Sequence, residues 1–369
     1  MVAKRLIALD VLRGLTIALM IMVNNPGSWS YVYPPLRHAK WHGCTPTDLV
    51  FPFFLFIVGV SMWFSFKKYG EGLTKSGLLK VLKRFLVIFL LGLFLNAFPK
   101  FNFEHLRFFG VLQRIAIAYA IGAILCMQFN YKQLFTVFVV ILAGYWGLLY
   151  FGGSGSGDVY SLTSNVVGKV DLLLFGENHI YKGFGIPFDP EGLLSAIPSV
   201  ATVILGYFTG RIIENSNEVI VAIKNMIKYG VTIAIVGWFW GYLFPINKPL
   251  WTSSYVLYTG GLAMLFLAFL LWIIDVKKMS NWSKPFIHFG TNPLFIFVFS
   301  GIYVKTIIYL VKLTNSEGEI VTGYSYLYTH IFVPIAGNMN GSLLFALSHI
   351  IFFWLLTYIL YRKKIFIKI

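Results

Sequence analysis

The chain has 369 residues, of which 58% are hydrophobic and only 12% are charged, and its mean hydropathy is +0.75. A soluble domain carries about 25% charged residues, so this composition excludes an ordinary soluble protein and indicates a multi-pass membrane protein. The formal net charge of +16 requires no nucleic-acid partner. Lysines and arginines that lie beside the membrane and face anionic lipid account for most of it.

Ten runs are apolar enough to form membrane-spanning helices, each of which takes roughly 20 residues. The runs are long and continuous, whereas the strands of a membrane barrel would be short and alternating. We therefore predict an all-α polytopic protein, a single domain over residues 1–369 with an extramembrane segment at 152–190 on the outer face. The ten runs are 6–23, 49–66, 79–97, 110–129, 133–151, 191–210, 227–244, 254–274, 288–311 and 341–361.

The distribution of cations predicts the orientation. With the N-terminus in the cytoplasm, nineteen lysines and arginines fall in inside segments and nine in outside segments, while Arg13 and Arg114 lie within helices. The positive-inside rule then places both termini in the cytoplasm and the loop that contains His38 outside. Cys44 lies near the outer face and Cys126 near the inner end of the fourth helix, so we expect no disulfide between them.

Charged residues interrupt the apolar runs at two places. Asp10 and Arg13 are three residues apart on the first helix and can pair on one face. An unpaired charge at the centre of the bilayer costs roughly 2.5–3.5 kcal/mol. Two interpretations remain open: a salt bridge that orients the helix, or an Arg13 that binds an anionic cofactor group inside the bundle. The same two interpretations apply to Gln113 and Arg114, which open the fourth helix.

The polar segment between the first two runs holds the strongest candidates for chemistry. His38 and His42 would share one face if the segment were helical, as in a zinc-binding pair, with Asp48 as the nearest third ligand. They are alternatively loop histidines that bond to carbonyl groups, or a catalytic base, which we favour because histidine titrates near neutral pH. Asn24 and Asn25 either end the first helix or supply an amide that stabilises an oxyanion.

Three further polar stretches lie at helix starts. Residues 189–192, Asp-Pro-Glu-Gly, either cap the sixth helix or contact substrate. Residues 251–255 and 290–293 are expected to line a cavity, because irregular polar backbone survives at membrane depth only where it is buried in protein or faces water.

Six blocks of the sequence resemble a known family: LDVLRG at 9–14, VNN at 23–25, RHAKWHG at 37–43, TDLVFPFFLFIVG at 47–59, GVLQRIAIAY at 110–119 and DPEGLLSAIPS at 189–199. The chain is similar in these blocks to heparan-α-glucosaminide N-acetyltransferase and its bacterial relatives, a branch of the transmembrane acyltransferases. The resemblance implies an enzyme that uses acetyl-CoA from the cytoplasmic side to acetylate an amino sugar at the opposite face. It also implies that His38 is the histidine implicated in catalysis and that Asn24 lies near the transferred acetyl group.

The sequence departs from the lysosomal enzyme of this family in two respects. His42 stands where that enzyme has asparagine, which leaves room for a second titrating group. The extra N-terminal domain and first helix of the lysosomal enzyme are not seen in this sequence. We therefore expect a bacterial cytoplasmic (inner) membrane as the location.

The resulting hypothesis is a membrane-embedded N-acetyltransferase that acts on a glucosamine-like sugar. His38 is the expected base, with Asn24, Asp48 and His42 beside it. Acetyl-CoA is the expected cosubstrate, no metal is expected, and direct transfer and a transient acetyl-His38 both remain open.

Expected partners are the amino sugar and membrane lipid but no nucleic acid, with a homodimer as one option. The alternatives are a secondary transporter of sugars or organic anions and a flippase. Residues expected to bind the cosubstrate are Arg13, Gln113, Arg114, Lys83, Arg84 and Asn292.

Overall fold

The computed structural model describes residues 6–66, 72–153, 157–315 and 318–367, and 73% of it is helical. Five of the cations counted above, Lys4, Arg5, Lys67, Lys68 and Lys368, lie outside the described residues. The helices are α1 (Ile7–Asn24), α2 (Val50–Phe66), α3 (Lys75–Ala97), α4 (Val111–Gln128), α5 (Tyr131–Gly152), α6 (Val166–Phe175), α7 (Ala196–Asn215), α8 (Val219–Trp240), α9 (Ser253–Leu271), α10 (Lys284–Thr291), α11 (Pro293–Lys305), α12 (Gly323–Leu327) and α13 (Val333–Arg362), and strands β1 (Lys312–Thr314) and β2 (Ile320–Thr322) pair antiparallel.

Within the described residues, nine helical segments are long and apolar enough to cross a membrane, which confirms the prediction of a polytopic α-helical fold. They correspond to α1, α2, α4, α5, α7, α8, α9, α11 and the continuous stretch of α12 and α13. The predicted run 79–97 is also helical, as α3, but Lys80, Lys83 and Arg84 make it more charged than the others. Its length of 23 residues is still sufficient to span the hydrocarbon core.

The helix bounds differ from the predicted runs where polar residues lie inside helices. α8 begins eight residues before the predicted run 227–244, because Lys224 and Lys228 are part of the helix and keep exposed side chains. Long lysine side chains reach water from near the ends of membrane helices, so their charge does not end the helix. The predicted run 288–311 is divided at Asn292 into α10 and α11.

Glycines bring α2 and α7 into backbone contact. A Cβ atom added at Gly59 would lie 1.9 Å from the carbonyl oxygen of Val203, and one added at Gly206 would lie 2.0 Å from the carbonyl oxygen of Phe56. Further along both helices, Gly210 lies against Trp63, so α2 and α7 run parallel, with almost no space between their main chains. Small residues allow such close approach between membrane helices.

Side-chain contacts define the two ends of the bundle. Arg13 near the start of α1 donates to Ser61 near the end of α2, so these two helices are antiparallel. Tyr255 at the start of α9 donates to the carbonyl oxygen of Asp48 just before α2, so these two helices are parallel. We call the end that contains His38 and Asp48 the His38 end. The opposite end, called the Arg13 end, also holds the last described residues, because Ile367 lines one cavity together with Arg13.

The chain between α5 and α7 packs on the loop that contains His38. The indole N–H of Trp41 donates to the carbonyl oxygen of Tyr160 at 2.9 Å, and the Trp41 ring meets Phe188 edge-on with 5.3 Å between centroids. The short helix α6 belongs to this segment and lies outside the nine apolar spans. The segment therefore forms one wall of the His38 end.

Candidate active site

The local sequence explains the shape of the loop that leads into α2. Thr45 and Asp48 form a capping box, in which each side chain bonds the backbone N–H of the other. Pro46 occupies the first position of the helical turn, where no N–H is needed. One carboxylate oxygen of Asp48 also accepts from the N–H of Ala39 at 3.0 Å. These bonds satisfy one oxygen of Asp48 and hold the chain around His38 in place.

The second carboxylate oxygen of Asp48 faces His38. His38 Nδ1 lies 2.6 Å from Asp48 Oδ1, and Asp48 is only 1% exposed, whereas the His38 side chain is 44% exposed. Because the buried partner is on the Nδ1 side, the proton of a neutral imidazole is assigned to Nδ1 and the lone pair to Nε2. The pair therefore presents a fixed basic nitrogen at a surface that substrate can reach.

Lys248 completes this cluster and was not foreseen from the sequence. Its Nζ lies 3.4 Å from Asp48 Oδ1 and 3.1 Å from His38 Nδ1. Nδ1 cannot both donate to Asp48 and accept from Lys248, and the shorter contact with a carboxylate assigns it the donor role. Burial lowers the pKa of Lys248 below its ordinary value, although the charge of Asp48 opposes this shift. A buried carboxylate requires such a cationic partner.

His42 belongs to a different network from His38. The chain from residue 37 to residue 45 is not helical, so the condition under which both histidines would share one helix face is not met. His42 Nε2 lies 3.2 Å from Asp158 Oδ2 in the α5–α7 segment, and its Nδ1 lies 3.3 Å from the amide nitrogen of Asn247. His42 thus joins three parts of the chain beside the site.

Asn24 is the last residue of α1 and has an exposed side chain. Its neighbour Asn25 is buried and donates to the carbonyl oxygen of Ile21 at 2.6 Å, so Asn25 is the residue that completes the helix end. Among the described hydrogen bonds, those of His38 go to Asp48 and Lys248 and none goes to Asn24. The Asn24 amide is therefore available to a ligand at this end.

A cavity of about 510 Å³ opens at the Arg13 end. Arg13 and Arg84 line it, and the Arg84 guanidinium lies 4.6 Å above the ring of Tyr119. Arg13 pairs with Asp10 at 3.1 Å, as the spacing predicted, and also donates to Ser61 at 2.8 Å. Two arginines that line one cavity form a suitable surface for phosphate groups.

Two other residues expected at the cosubstrate lie beside this cavity. Asn292 does not line it but binds the main chain of Ile365 and Ile367, and Ile367 is a lining residue. Its neighbours Gly290 and Thr291 line the cavity, in agreement with the expectation for residues 290–293. Lys83 is exposed and lies outside the lining.

The structure separates Gln113 and Arg114 from this group. Arg114 is buried at the start of α4, where it donates to the side chain of Ser195 and lies 5.0 Å from the Trp251 ring. Gln113 packs against Gly92 on α3. Both are therefore at the His38 end, because α4 starts there beside the start of α7. Arg114 is not among the residues that line the cavity with Arg13.

Arg107 explains the polar start of the sixth predicted run. Its guanidinium donates two bonds to Asp189, at 2.7 and 2.8 Å, and one to Glu191 at 2.6 Å. Burial acts to lower the pKa of Arg107, but the two carboxylates outweigh it and raise this pKa above its ordinary value. Asp189 Oδ1 also accepts from the backbone N–H of Glu191 at 2.9 Å, so this carboxylate both pairs with Arg107 and bonds the turn before α7.

Asp171 on α6 is expected to make the stability of the folded protein depend on pH. Its carboxylate is 1% exposed and accepts from the N–H groups of Leu193 and Leu194, and burial raises its pKa from 3.8 to about 6. The folded protein therefore favours the protonated form, and its stability falls as the pH rises from 4 through 6. The loss amounts to roughly 3 kcal/mol at most, at 1.36 kcal/mol per pKa unit.

Asp171→Asn is expected to raise the melting temperature at pH 7 and to leave it unchanged at pH 4, because an amide accepts the same two bonds without ionising. Thermal unfolding of both proteins in detergent across this pH range is the measurement. A difference that is constant with pH would show that Asp171 does not ionise in the folded protein over this range.

Comparison with known proteins adds to this geometry. The chain is 27% identical to heparan-alpha-glucosaminide N-acetyltransferase of Homo sapiens over 99% of its length, and 27% identical to the Mus musculus protein of that name over all of it. The chain spans about 60% of the length of these two relatives. The family model described as heparan-alpha-glucosaminide N-acetyltransferase, catalytic, matches residues 5–239, which include the His38–Asp48 pair and both arginines of the cavity. A match over more than half of the sequence shows that the chain belongs to this family.

Proposed function

We propose that this protein is an N-acetyltransferase that moves an acetyl group from acetyl-CoA, bound at the Arg13 end, to the amine of a glucosamine-like sugar at the His38 end. The observation that carries the proposal is the His38–Asp48 pair, 2.6 Å apart, in a chain of the N-acetyltransferase family. The name of the relatives supports acetylation of an amino sugar. Family membership also favours a transferase over the transporter and the flippase considered above.

The chemistry is aminolysis of a thioester. The amine nitrogen attacks the acetyl carbon, the new C–N bond forms, and the C–S bond breaks to release the thiol of CoA. His38 Nε2 takes the proton that the amine loses and can return it to the leaving sulfur. A positioned base contributes roughly 10²–10⁴-fold to such a step.

Asp48 and Asn24 support His38 in this proposal. Asp48 accepts the hydrogen bond from Nδ1–H of His38, and its negative charge stabilises the imidazolium that forms during transfer. Lys248 balances the charge of Asp48, so that the pair is neutral overall before the reaction. Asn24 donates its amide to the thioester oxygen, where negative charge develops.

The cavity at the Arg13 end fits the nucleotide part of the donor. Arg13 and Arg84 supply charge for phosphates, and Tyr119 supplies a ring wall. From Arg13 to Asn24, α1 rises about 17 Å at 1.5 Å per residue. The pantetheine arm of CoA would cover this distance along α1 and bring the thioester to Asn24 and His38.

We expect Arg13→Ala and Arg84→Ala each to raise the dissociation constant for acetyl-CoA by about ten- to a hundredfold. The loss of charge-assisted hydrogen bonds, roughly 1.5–3 kcal/mol each, is the reason. Isothermal titration of acetyl-CoA into each purified variant is the measurement. Lys83→Ala is the matched control, because Lys83 is adjacent to Arg84 but exposed outside the cavity. Equal binding by all three variants would exclude this cavity as the phosphate site.

We further propose that the Arg13 end faces the cytoplasm of a bacterial cell, as the cation distribution supports. An impermeant maleimide applied to intact cells should then label Lys40→Cys at the His38 end and not Lys75→Cys at the start of α3. Native background will be low, because burial and the charge of Asp48 raise the pKa of Cys44 to about 12, and Cys126 is buried. The reverse labelling pattern would invert the proposed orientation.

The activity itself is tested with purified protein, acetyl-CoA and glucosamine. We expect release of free CoA that depends on glucosamine, together with N-acetylglucosamine detected by mass spectrometry. Incubation with acetyl-CoA alone, followed by intact-mass measurement, separates an acetyl-His38 intermediate from direct transfer. A protein that binds acetyl-CoA but neither becomes acetylated nor transfers to any amino sugar would contradict the proposed function.

A further inference from the structure

A second cavity, of about 480 Å³, lies on the surface of the bundle between α1, α2 and α9. We call it the lateral groove. Its lining is apolar apart from Thr16, whose hydroxyl is already engaged with the carbonyl oxygen of Leu12. Leu19 and Phe269 on its rim are 40% and 49% exposed, so the groove opens sideways, where the lipid of the membrane would lie. Its chemistry fits a hydrocarbon chain.

The groove follows the helix axes. α9 and α2 both start at the His38 end, and α9 contributes the lining residues from Leu262 to Phe269. Between these two residues the helix rises about 10 Å at 1.5 Å per residue. A chain in the groove would therefore lie parallel to the lipid chains around it.

The outer end of the groove adjoins the proposed base. Pro46 and Leu49 line the groove, and they lie within two residues of Asp48, which bonds His38. An amphiphile whose chain occupies the groove would thus have its polar head at His38. Any other part of the groove would leave the head group among apolar side chains, where its polar groups would lack partners.

The groove is separate from the cavity at the Arg13 end. The two have no lining residue in common, and α2 turns different side chains to each: Val50 and Phe53 to the groove, Phe54 and Ile57 to the cavity. A donor bound through Arg13 and Arg84 therefore approaches His38 from a different face of α2. The groove is left for the acceptor.

We propose that the natural acceptor is an amino sugar attached to an apolar chain, which enters sideways from the bilayer with its chain in the lateral groove and its amine at His38. This inference rests on the proposed function and specifies its substrate class. The position of Pro46 and Leu49, which line the groove on either side of Asp48 in the sequence, is the feature that favours a substrate over bulk lipid as the occupant.

The test compares 2-amino-2-deoxyglucosides that carry methyl, butyl or hexyl groups at the anomeric oxygen. We expect kcat/KM for acetyl transfer to rise at least tenfold from methyl to hexyl, since each fully buried CH₂ group contributes up to roughly fourfold. Leu19→Trp and Leu262→Trp fill the groove at positions away from Asp48. They should abolish the chain-length dependence and leave the methyl glucoside rate near that of the wild type.

Leu86→Trp is the matched control, an exposed leucine on α3 that lies outside the groove. If the chain-length dependence persists in both groove variants as it does in this control, the effect comes from partition into the micelle and the proposal is overturned. It is also overturned if the groove variants change the preference for acetyl-CoA over hexanoyl-CoA, since the chain would then belong to the donor. Transfer to none of the acceptors would overturn the proposed function, and this inference with it.

Discussion

His38→Ala is expected to lower kcat/KM for acetyl transfer by at least about a hundredfold, the lower bound for the loss of a positioned base. Within its cluster of described residues, His38 has the most exposed side chain, at 44%, against 19% for Lys248 and 1% for Asp48. The dissociation constant for acetyl-CoA should stay near the wild-type value, because the cosubstrate phosphates are proposed to lie at the other end of α1. Steady-state kinetics and isothermal titration on the same preparation measure both quantities.

His42→Ala is the matched control for this experiment. It removes a histidine from the same loop, but one whose nitrogens face Asp158 and Asn247 rather than Asp48. We expect it to retain more than a tenth of the wild-type activity. If His38→Ala kept that much activity and His42→Ala did not, the roles of the two histidines would have to be exchanged.

Asp48→Asn is expected to reduce kcat by about 10²–10⁴-fold. In enzymes with a Ser-His-Asp triad, the corresponding change leaves the histidine in the wrong tautomer and causes a large loss of kcat. The amide oxygen has to accept from the N–H groups of Ala39 and Thr45, as the carboxylate does. Its NH₂ group then faces His38 Nδ1 and compels that nitrogen to accept. The imidazole proton moves to Nε2, and the nitrogen that faces the substrate is no longer a base.

The control is Asp158→Asn, which makes the same change in the other Asp–His contact of the site. It should affect activity by less than tenfold. Melting temperatures of both variants show whether the loop remains folded. If Asp48→Asn keeps full activity with an unchanged melting temperature, the tautomer of His38 is not set by Asp48.

The features that depend on the spacing of residues close together in the chain could be predicted from the sequence. Long apolar runs predicted the helices, the three-residue spacing predicted the pair Asp10–Arg13, and the polar segment after α1 drew attention to His38. These features follow from the helical repeat and from the cost of charge in lipid, which act over a few residues. The family membership was also foreseen, because its blocks are contiguous in the sequence.

Contacts between distant segments could not be predicted in this way. Lys248 lies 210 residues from His38 in the sequence, and its Pro-Ile-Asn-Lys-Pro surroundings resemble any turn between helices. Arg114 was grouped with Arg13 because both are arginines within helices, yet α4 starts at the opposite end of the bundle from α1. Which end of a helix holds a charge depends on the direction of that helix in the fold. The predicted topology placed the inner end of the fourth helix near Cys126 and so its start, with Arg114, at the outer face; the grouping with Arg13 did not take this direction into account.

The glycine contact between α2 and α7 has a consequence for how the protein works. With Gly59 and Gly206 against the opposing main chains, neither helix can slide past the other without a collision of backbone atoms. α2 and α7 therefore move as one rigid piece, and α2 follows directly on the turn that holds Asp48. A catalytic cycle in which helices rock to expose a site alternately to the two sides would have to break this contact. Under the proposed function, the α2–α7 pair would stay fixed, and the acetyl group, carried by the flexible arm of CoA, would be the part that moves between the two ends of the bundle.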